Sequence, residues 1–283
     1  MTKKPTDTTF RDALRAGEGF DLEALDKRST PGFDGDKADA EALMPDLADR
    51  ASDLQERLYA ESRAGGTRKV LLVIQGMDTS GKGGIMRHVV GAMDPQGSQI
   101  TAFKAPTKEE LSHHYLWRIR KALPEPGIIG VFDRSHYEDV LIVRVRNLVP
   151  PEEWGVRYDE INDFEQELVD DDTTVIKVML AISNEEQKER LAERLERDDK
   201  HWKFNPGDID ERKEWPAYME AYQAAIEKCS TEHAPWYVVP ADRKWYARLA
   251  VMNLLIEHLT ELDPQWPAAE FDVEEQKQRL ALT

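Results

Sequence analysis

The sequence predicts an α/β fold, a parallel sheet flanked by helices and built around a phosphate-binding loop. Short, fully apolar, β-branched runs of strand length recur between helical patterns, as buried parallel strands require. A glycine-rich stretch from Gly76 to Gly83 joins the first such run to a helix. A later apolar run, 128–132, ends in Asp133, placing a carboxylate at the C-terminal edge of the sheet.

In chain order, residues 1 to about 66 are polar and acidic, interrupted by Pro31-Gly32 and Gly35. Over 38–64, Leu43, Leu47, Leu54 and Leu58 recur at spacings of four or seven, a helical pattern that Gly65-Gly66 ends. The first strand is expected over 70–74, followed by a helix over 81–93 and a second strand over 99–103. Thr107 and Glu110 have capping-box spacing and predict a helix start. The third strand covers 128–132, and Ser135 with Glu138 repeats the capping spacing. The fourth strand covers 175–182, with Ser183 and Glu186 opening the next helix. The fifth covers 236–239, after which Asp242 is placed to cap the last helix. The expected organisation is an N-terminal helical appendage (1–66), a P-loop unit (67–262) that includes a charged segment (184–222), and a C-terminal tail (263–283).

Composition narrows the function classes. The chain has 283 residues, 40% hydrophobic and 33% charged, which suits a globular protein with a sizeable core. Its longest apolar runs reach strand length, whereas a membrane helix needs roughly 20 residues. Met1-Thr2-Lys3-Lys4-Pro5 is not followed by an apolar stretch, so no secretory signal is expected. Cys229 is the only cysteine, which excludes an intrachain disulfide and favours a cytoplasmic address without membrane attachment. The net charge of −17 argues against a nucleic-acid partner. A polyanionic ligand would need basic residues concentrated at its site.

Gly76-Met77-Asp78-Thr79-Ser80-Gly81-Lys82-Gly83 matches G-x-x-x-x-G-K. Successive backbone N–H groups in such a loop form a nest for phosphate, the helix N-terminus adds partial positive charge, and Lys82 reaches the terminal phosphates. Gly76, Thr79, Ser80, Gly81, Lys82 and Gly83 are therefore candidate phosphate-binding residues. Gly83 stands where Ser or Thr usually helps to hold magnesium. Asp78 is the candidate replacement, and an Asx-type bond stabilising the loop is its competing role. Asp133 is the second candidate metal ligand. Arg134 follows it and is assigned either to a transferring phosphoryl group or to an ion pair with Asp133. Glu138 is assigned mainly to capping.

In the segment 184–222, Arg190, Arg194 and Arg197 share one helix face, and Lys203 and Arg212 follow. Such a segment can close over phosphates, because the arginine fork binds phosphate oxygens bidentately. It can equally be a solvated helix, since Glu186 and Glu193 lie four residues before Arg190 and Arg197. His113 and His114 have no metal-ligand spacing around them. Trp202, Trp215 and Trp236 are assigned to packing, with Trp202 left open because Lys203 adjoins it.

Several blocks together resemble the polyphosphate kinase 2 family: Gly76 to Gly84; Phe103-Lys104-Ala105-Pro106-Thr107; Phe132-Asp133-Arg134-Ser135-His136-Tyr137-Glu138-Asp139-Val140; Trp202-Lys203-Phe204 with Trp215 and Tyr218; and Ala234-Pro235-Trp236. The resemblance spans about 40–262. It implies a thymidylate-kinase-like fold, Mg2+ (or Mn2+), and phosphoryl transfer between inorganic polyphosphate and nucleoside mono- or diphosphates, with triphosphates as products. The form of the Asp133 block resembles the class accepting both AMP and ADP. The family's lid implies functional roles for Arg190 and Arg194. Asp78, Lys82, Asp133, Arg134 and Arg190 are then the expected catalytic group, with Lys104, Arg194 and Lys203 binding phosphate or nucleotide. A homo-oligomer, dimer or tetramer, is expected. An ATP-dependent nucleoside or nucleotide kinase of thymidylate-kinase type is the competing reading. It gives no special reason for the basic run Lys104, Lys108, Arg118, Arg120 and Lys121. A non-catalytic nucleotide-binding protein has no need of paired carboxylates.

Overall fold

A computed structural model describes residues 8–283. The expectation drawn from Met1 to Pro5 lies outside the described residues.

Five parallel strands form one sheet: β1 (Lys69–Gln75), β2 (Ser98–Ala102), β3 (Ile129–Asp133), β4 (Thr173–Ala181) and β5 (Trp236–Pro240), in the order β2-β3-β1-β4-β5. All five expected strands are present. β1 and β3 run side by side with Ile74 paired to Asp133, so the phosphate loop and the segment after Asp133 leave the sheet next to each other. The helices in chain order are α1 (Phe10–Leu14), α2 (Lys37–Arg63), α3 (Lys82–His88), α4 (Leu116–Arg120), α5 (Ile142–Val145), α6 (Pro151–Asp170), α7 (Asn184–Glu196), α8 (Gly207–Glu211), α9 (Trp215–Cys229), α10 (Lys244–Leu262) and α11 (Val273–Leu280).

Alternation along β1 divides the core. Val70, Leu72 and Ile74 pack with α2, α3 and α10, while Leu71 and Val73 pack with α6 and α9 on the other face. The N-terminal helical segment packs onto the P-loop unit: Phe10 and Leu14 of α1 and Ala40, Ala51 and Leu58 of α2 lie in the same buried cluster as α10. Ala16 N–H donates to Trp236 O at 2.8 Å, which ties the segment to β5. α11 has no buried residue. No helix among the described residues is long and apolar enough to cross a membrane.

Four local expectations change. The helix expected over 81–93 stops at His88, and a separate 3-10 turn follows at Val90–Ala92. Gly83, Gly84, Val89, Val90 and Gly91 are weak helix formers, and nothing extends the helix past them. Thr107 and Glu110 do exchange both capping bonds, at 2.7 and 3.2 Å, but they close only a 3-10 turn, Glu110–Ser112. Ser135 caps another 3-10 turn, His136–Asp139, with its hydroxyl on Tyr137 N–H rather than on Glu138. Asp242 does not cap α10: its carboxylate accepts the Ser183 N–H at 2.8 Å and joins the ends of β4 and β5.

Candidate active site

The loop after β1 takes a conformation that glycine makes possible. Gly76 and Gly81 have φ of 151° and 116°. A Cβ at Gly76 would lie 2.7 Å from Ser80 Oγ and 2.8 Å from Leu180 O. Thr79 also has positive φ, 64°, a strained state for a β-branched residue. Lys82 folds its ammonium onto the carbonyls of Gly76 (2.6 Å) and Met77 (3.3 Å). Burial lowers the pKa of Lys82, and the Asp78 carboxylate works against that.

Gly83 is a matter of chemistry rather than of space. A Cβ there would meet nothing within 4 Å. Gly83→Ser is therefore expected to leave the melting temperature at the wild-type value, and a thermal melt checks it.

Asp78, Asp133 and Arg134 converge at this edge. Arg134 Nη2 lies 3.3 Å from Asp78 Oδ1, so the arginine pairs with Asp78 and not with Asp133. The pairing follows from backbone geometry: Arg134 has φ of 64°, and its N–H donates to Ile74 O at 3.1 Å, which swings the side chain across β1. The Asp78 carboxylate faces this arginine rather than a loop N–H, so the Asx alternative loses its support. Asp133 Oδ1 is buried and has no hydrogen-bond partner among the described residues.

Glu138 is the residue that the sequence reading underrated. It stands in the field of Arg134 and Lys82, and burial raises its pKa. For Arg134, burial acts to lower the pKa, but Glu138 and Asp78 more than offset it. Only the spacing of four residues from Arg134 hinted at this placement.

The charged segment divides by role. Arg190 is buried, and all its N–H groups are engaged: Nη1 donates to Thr79 O (2.8 Å) and Ser80 O (3.1 Å), Nη2 to Ala241 O (2.7 Å) and Asp242 O (2.9 Å), and Nε to Glu186 (2.8 Å). Where the sequence leads one to expect a phosphate contact, every N–H group of Arg190 has a protein acceptor instead. It braces the loop from behind and acts through the backbone of Thr79 and Ser80. Gln187 assists, with Nε2 on Asp78 O at 3.1 Å. Arg194 reaches Lys203 O at 3.1 Å and Asp208 at 3.4 Å. Lys203 itself lies over the exposed Trp202 ring, 4.8 Å from its centre, so Trp202 is not a packing residue. Trp236 is buried and Trp215 half-buried, as expected. Asp208 and Glu211 of α8 both have raised pKa values, first from burial and then from the negative field of Asp78.

The donor set fits a hard dication. Asp133 offers an orphaned carboxylate oxygen and Asp78 a second carboxylate. Among the described residues no group of three or more His, Cys, Asp or Glu side chains forms a complete cage. Magnesium commonly takes one or two protein carboxylates and completes its shell with water and substrate phosphate.

The family model for polyphosphate kinase 2 matches residues 35–267. The chain belongs to the polyphosphate kinase 2 family. It is 46% identical over 251 residues to the AMP/ADP-polyphosphate phosphotransferase of Meiothermus ruber, covering 89% of this chain and 92% of that one. It is 40% identical over 268 residues to the ADP-polyphosphate phosphotransferase of Rhodopseudomonas palustris, covering 90% and 91%. The crystal structure of polyphosphate kinase 2 from Arthrobacter aurescens superposes with a TM-score of 0.96 at 53% identity, covering 98% of both chains.

In this polyphosphate kinase 2 chain the basic run expected to serve a polyanion is largely engaged elsewhere. Arg118 donates to Lys104 O at 2.8 Å, Arg120 pairs with Glu167 at 2.6 Å, and Lys121 lies 4.2 Å from the centre of the Trp117 ring. The Lys104 side chain is exposed at the rim of this cluster. Another set of cations is nearer the loop. A Cβ at Gly84 would lie 3.5 Å from Arg248 Nε, and Arg248, Arg87 and His88 influence one another's charge. Among the described residues neither Arg87 nor Arg248 has a carboxylate within ion-pair distance. For His88, burial first and Arg248 second lower the pKa.

Proposed function

We propose that this chain moves a phosphoryl group between inorganic polyphosphate and AMP or ADP, giving ADP and ATP in turn. The observation that carries the proposal is the junction of a phosphate loop with Asp78, Asp133 and Arg134, flanked by Arg87 of α3 and Arg248 of α10, neither with a carboxylate within ion-pair distance among the described residues. Against the overall charge of −17, Arg87 and Arg248 offer positive charge beside α3, where a polyanion would meet the loop. The names of the relatives from Meiothermus ruber and Rhodopseudomonas palustris support the same substrates.

Asp78 and Asp133 would hold Mg2+ or Mn2+. Such an ion, when bound, supplies positive charge beside the transferring phosphoryl. The loop amides from Gly76 to Gly83 orient phosphate oxygens. Lys82 swings from the Gly76 and Met77 carbonyls onto phosphate and neutralises charge there. Arg134 stabilises charge on the equatorial oxygens. An acceptor phosphate is already ionised near neutral pH, so no general base is needed. Arg194 and Lys203 would join from the lid when it closes, and Lys104 from the β2 side. We take the catalytic unit to be 67–262 with the lid at about 184–222, between the N-terminal helical segment 1–66 and the tail 263–283. A cytoplasmic protein without membrane or nucleic-acid partners fits the charge balance. Exposed Trp266, Phe271, Leu280 and Leu282 on the tail favour a homo-oligomer, dimer or tetramer.

With polyphosphate, AMP and Mg2+, ADP is expected to form first and ATP after it, followed by chromatography. If ATP phosphorylates a nucleoside while polyphosphate stays inert, the thymidylate-kinase-type reading replaces this one.

A further inference from the structure

A buried charged network lies beneath the segment that follows β3. Lys177, within β4, is fully buried. Its ammonium donates to Tyr137 Oη (2.8 Å), Glu165 Oε2 (2.5 Å) and Cys229 O (2.6 Å), which uses all its N–H groups. The Tyr137 hydroxyl donates to Glu165 Oε1 at 2.9 Å and closes a ring of three side chains. His136 Nε2 lies 3.2 Å from the same oxygen. Trp236 covers the ring, its centre 5.3 Å from Lys177 Nζ. Burial opposes the charge of Glu165, but Lys177 and His136 hold its pKa below the ordinary value. Burial lowers the pKa of His136 itself, against the pull of Glu165.

Packing alone does not account for this arrangement. Apolar residues of similar volume would fill the same space without desolvating two charges, often at no loss of stability. The segment that the network holds supplies the reason. Arg134 and Glu138 face the phosphate loop, while His136 and Tyr137 between them point into the network. Ser135 is fixed as well, accepting from Gln75 Nε2 at 3.2 Å immediately before Gly76. The segment contains a left-handed arginine and one 3-10 turn, so regular secondary structure does not hold it.

We infer that the Lys177–Glu165 pair, acting through Tyr137, is a positioning device for phosphoryl transfer that fixes the turn aiming Arg134 and Glu138 at the phosphate loop. The inference rests on the placement of Arg134 in the catalytic site. Lys177, Glu165 and Tyr137 touch no reacting atom; they act through the backbone of 134–138.

Tyr137→Phe removes the linking hydroxyl and keeps the ring against Trp236. It is expected to lower kcat about tenfold, the scale of a small misalignment, with nucleotide KM little changed and the melting temperature lowered, because one buried N–H of Lys177 loses its acceptor. A double-mutant cycle on kcat with Arg134→Ala decides the matter. If the ring acts by aiming Arg134, adding Tyr137→Phe to Arg134→Ala costs much less than it costs the wild type. A fully multiplicative loss overturns the inference and leaves the site assignment standing. Wild-type turnover in Arg134→Ala overturns the site assignment and the inference with it. The apolar double variant Lys177→Met/Glu165→Leu gives an independent reading: a native melting temperature with lowered kcat supports positioning, and a native melting temperature with wild-type kcat refutes it.

Discussion

Asp78→Asn and Asp133→Asn are each expected to lower the rate of transfer from polyphosphate to nucleotide by at least ~10²-fold, the cost of losing one preorganised electrostatic group. Both substitutions are isosteric and leave the strand and loop backbone untouched. Neither should lower the melting temperature. Asp133 Oδ1 has no hydrogen-bond partner among the described residues, so the substitution breaks no bond there. Asp78→Asn keeps a hydrogen-bond acceptor for Arg134 and loses only the charge. Because both carboxylates are assigned to one cation, the double variant should be little slower than the slower single variant. The measurements are initial rates of ADP and ATP formation across a magnesium titration, with a thermal melt beside them. Near-wild-type turnover in Asp78→Asn would end its metal role and leave Gly83 without a substitute. A fall in rate with a matching fall in melting temperature would mean that the carboxylates hold the fold instead.

β1, β3, β4 and β5 were legible because they are buried on both faces and read as largely apolar runs, as at 70–74 and 128–132, whereas β2 lies at the sheet edge and is largely exposed. The phosphate loop and Asp133 were legible because a strand must precede each of them, and both strands are plain in the sequence. Side chains whose partners are distant in the chain were not legible. Glu138 has the spacing of a capping residue, and only the fold turns it toward Lys82 and Arg134. Asp242 sits where a helix cap belongs, yet the parallel neighbour β4 brings it the Ser183 N–H first. The loss of helix after His88 could have been read from Gly83, Gly84 and Gly91. The unpaired state of Arg87 and Arg248 could not, because it depends on how α3 meets α10.

Arg190 shows the same limit, and its substitution separates the two roles most sharply. The sequence places it four residues after Glu186, and that pair forms at 2.8 Å. The four carbonyls that complete its shell come from the phosphate loop and from the turn after β5, which sequence spacing does not connect. An arginine that reached out to phosphate would lose rate on substitution and keep its melting temperature. The observed shell predicts loss of both. Arg190→Ala strands four buried carbonyls and the Glu186 carboxylate, and removing one partner from a buried charged cluster costs about 3 kcal/mol or more. For a chain of this size that corresponds to a fall in melting temperature of roughly 6–12 °C. The rate should fall by about 10²-fold as well, because Thr79 relaxes from its strained φ of 64° and the loop amides lose their aim. Arg190→Lys keeps the charge and the Glu186 pair. Its three N–H groups cannot serve four carbonyls and a carboxylate together, so it should fall between wild type and alanine in both measurements. Thermal melts and steady-state rates on the two variants decide between the roles: a melting temperature unchanged in Arg190→Ala, with the rate lost, would return Arg190 to the phosphate-contacting group.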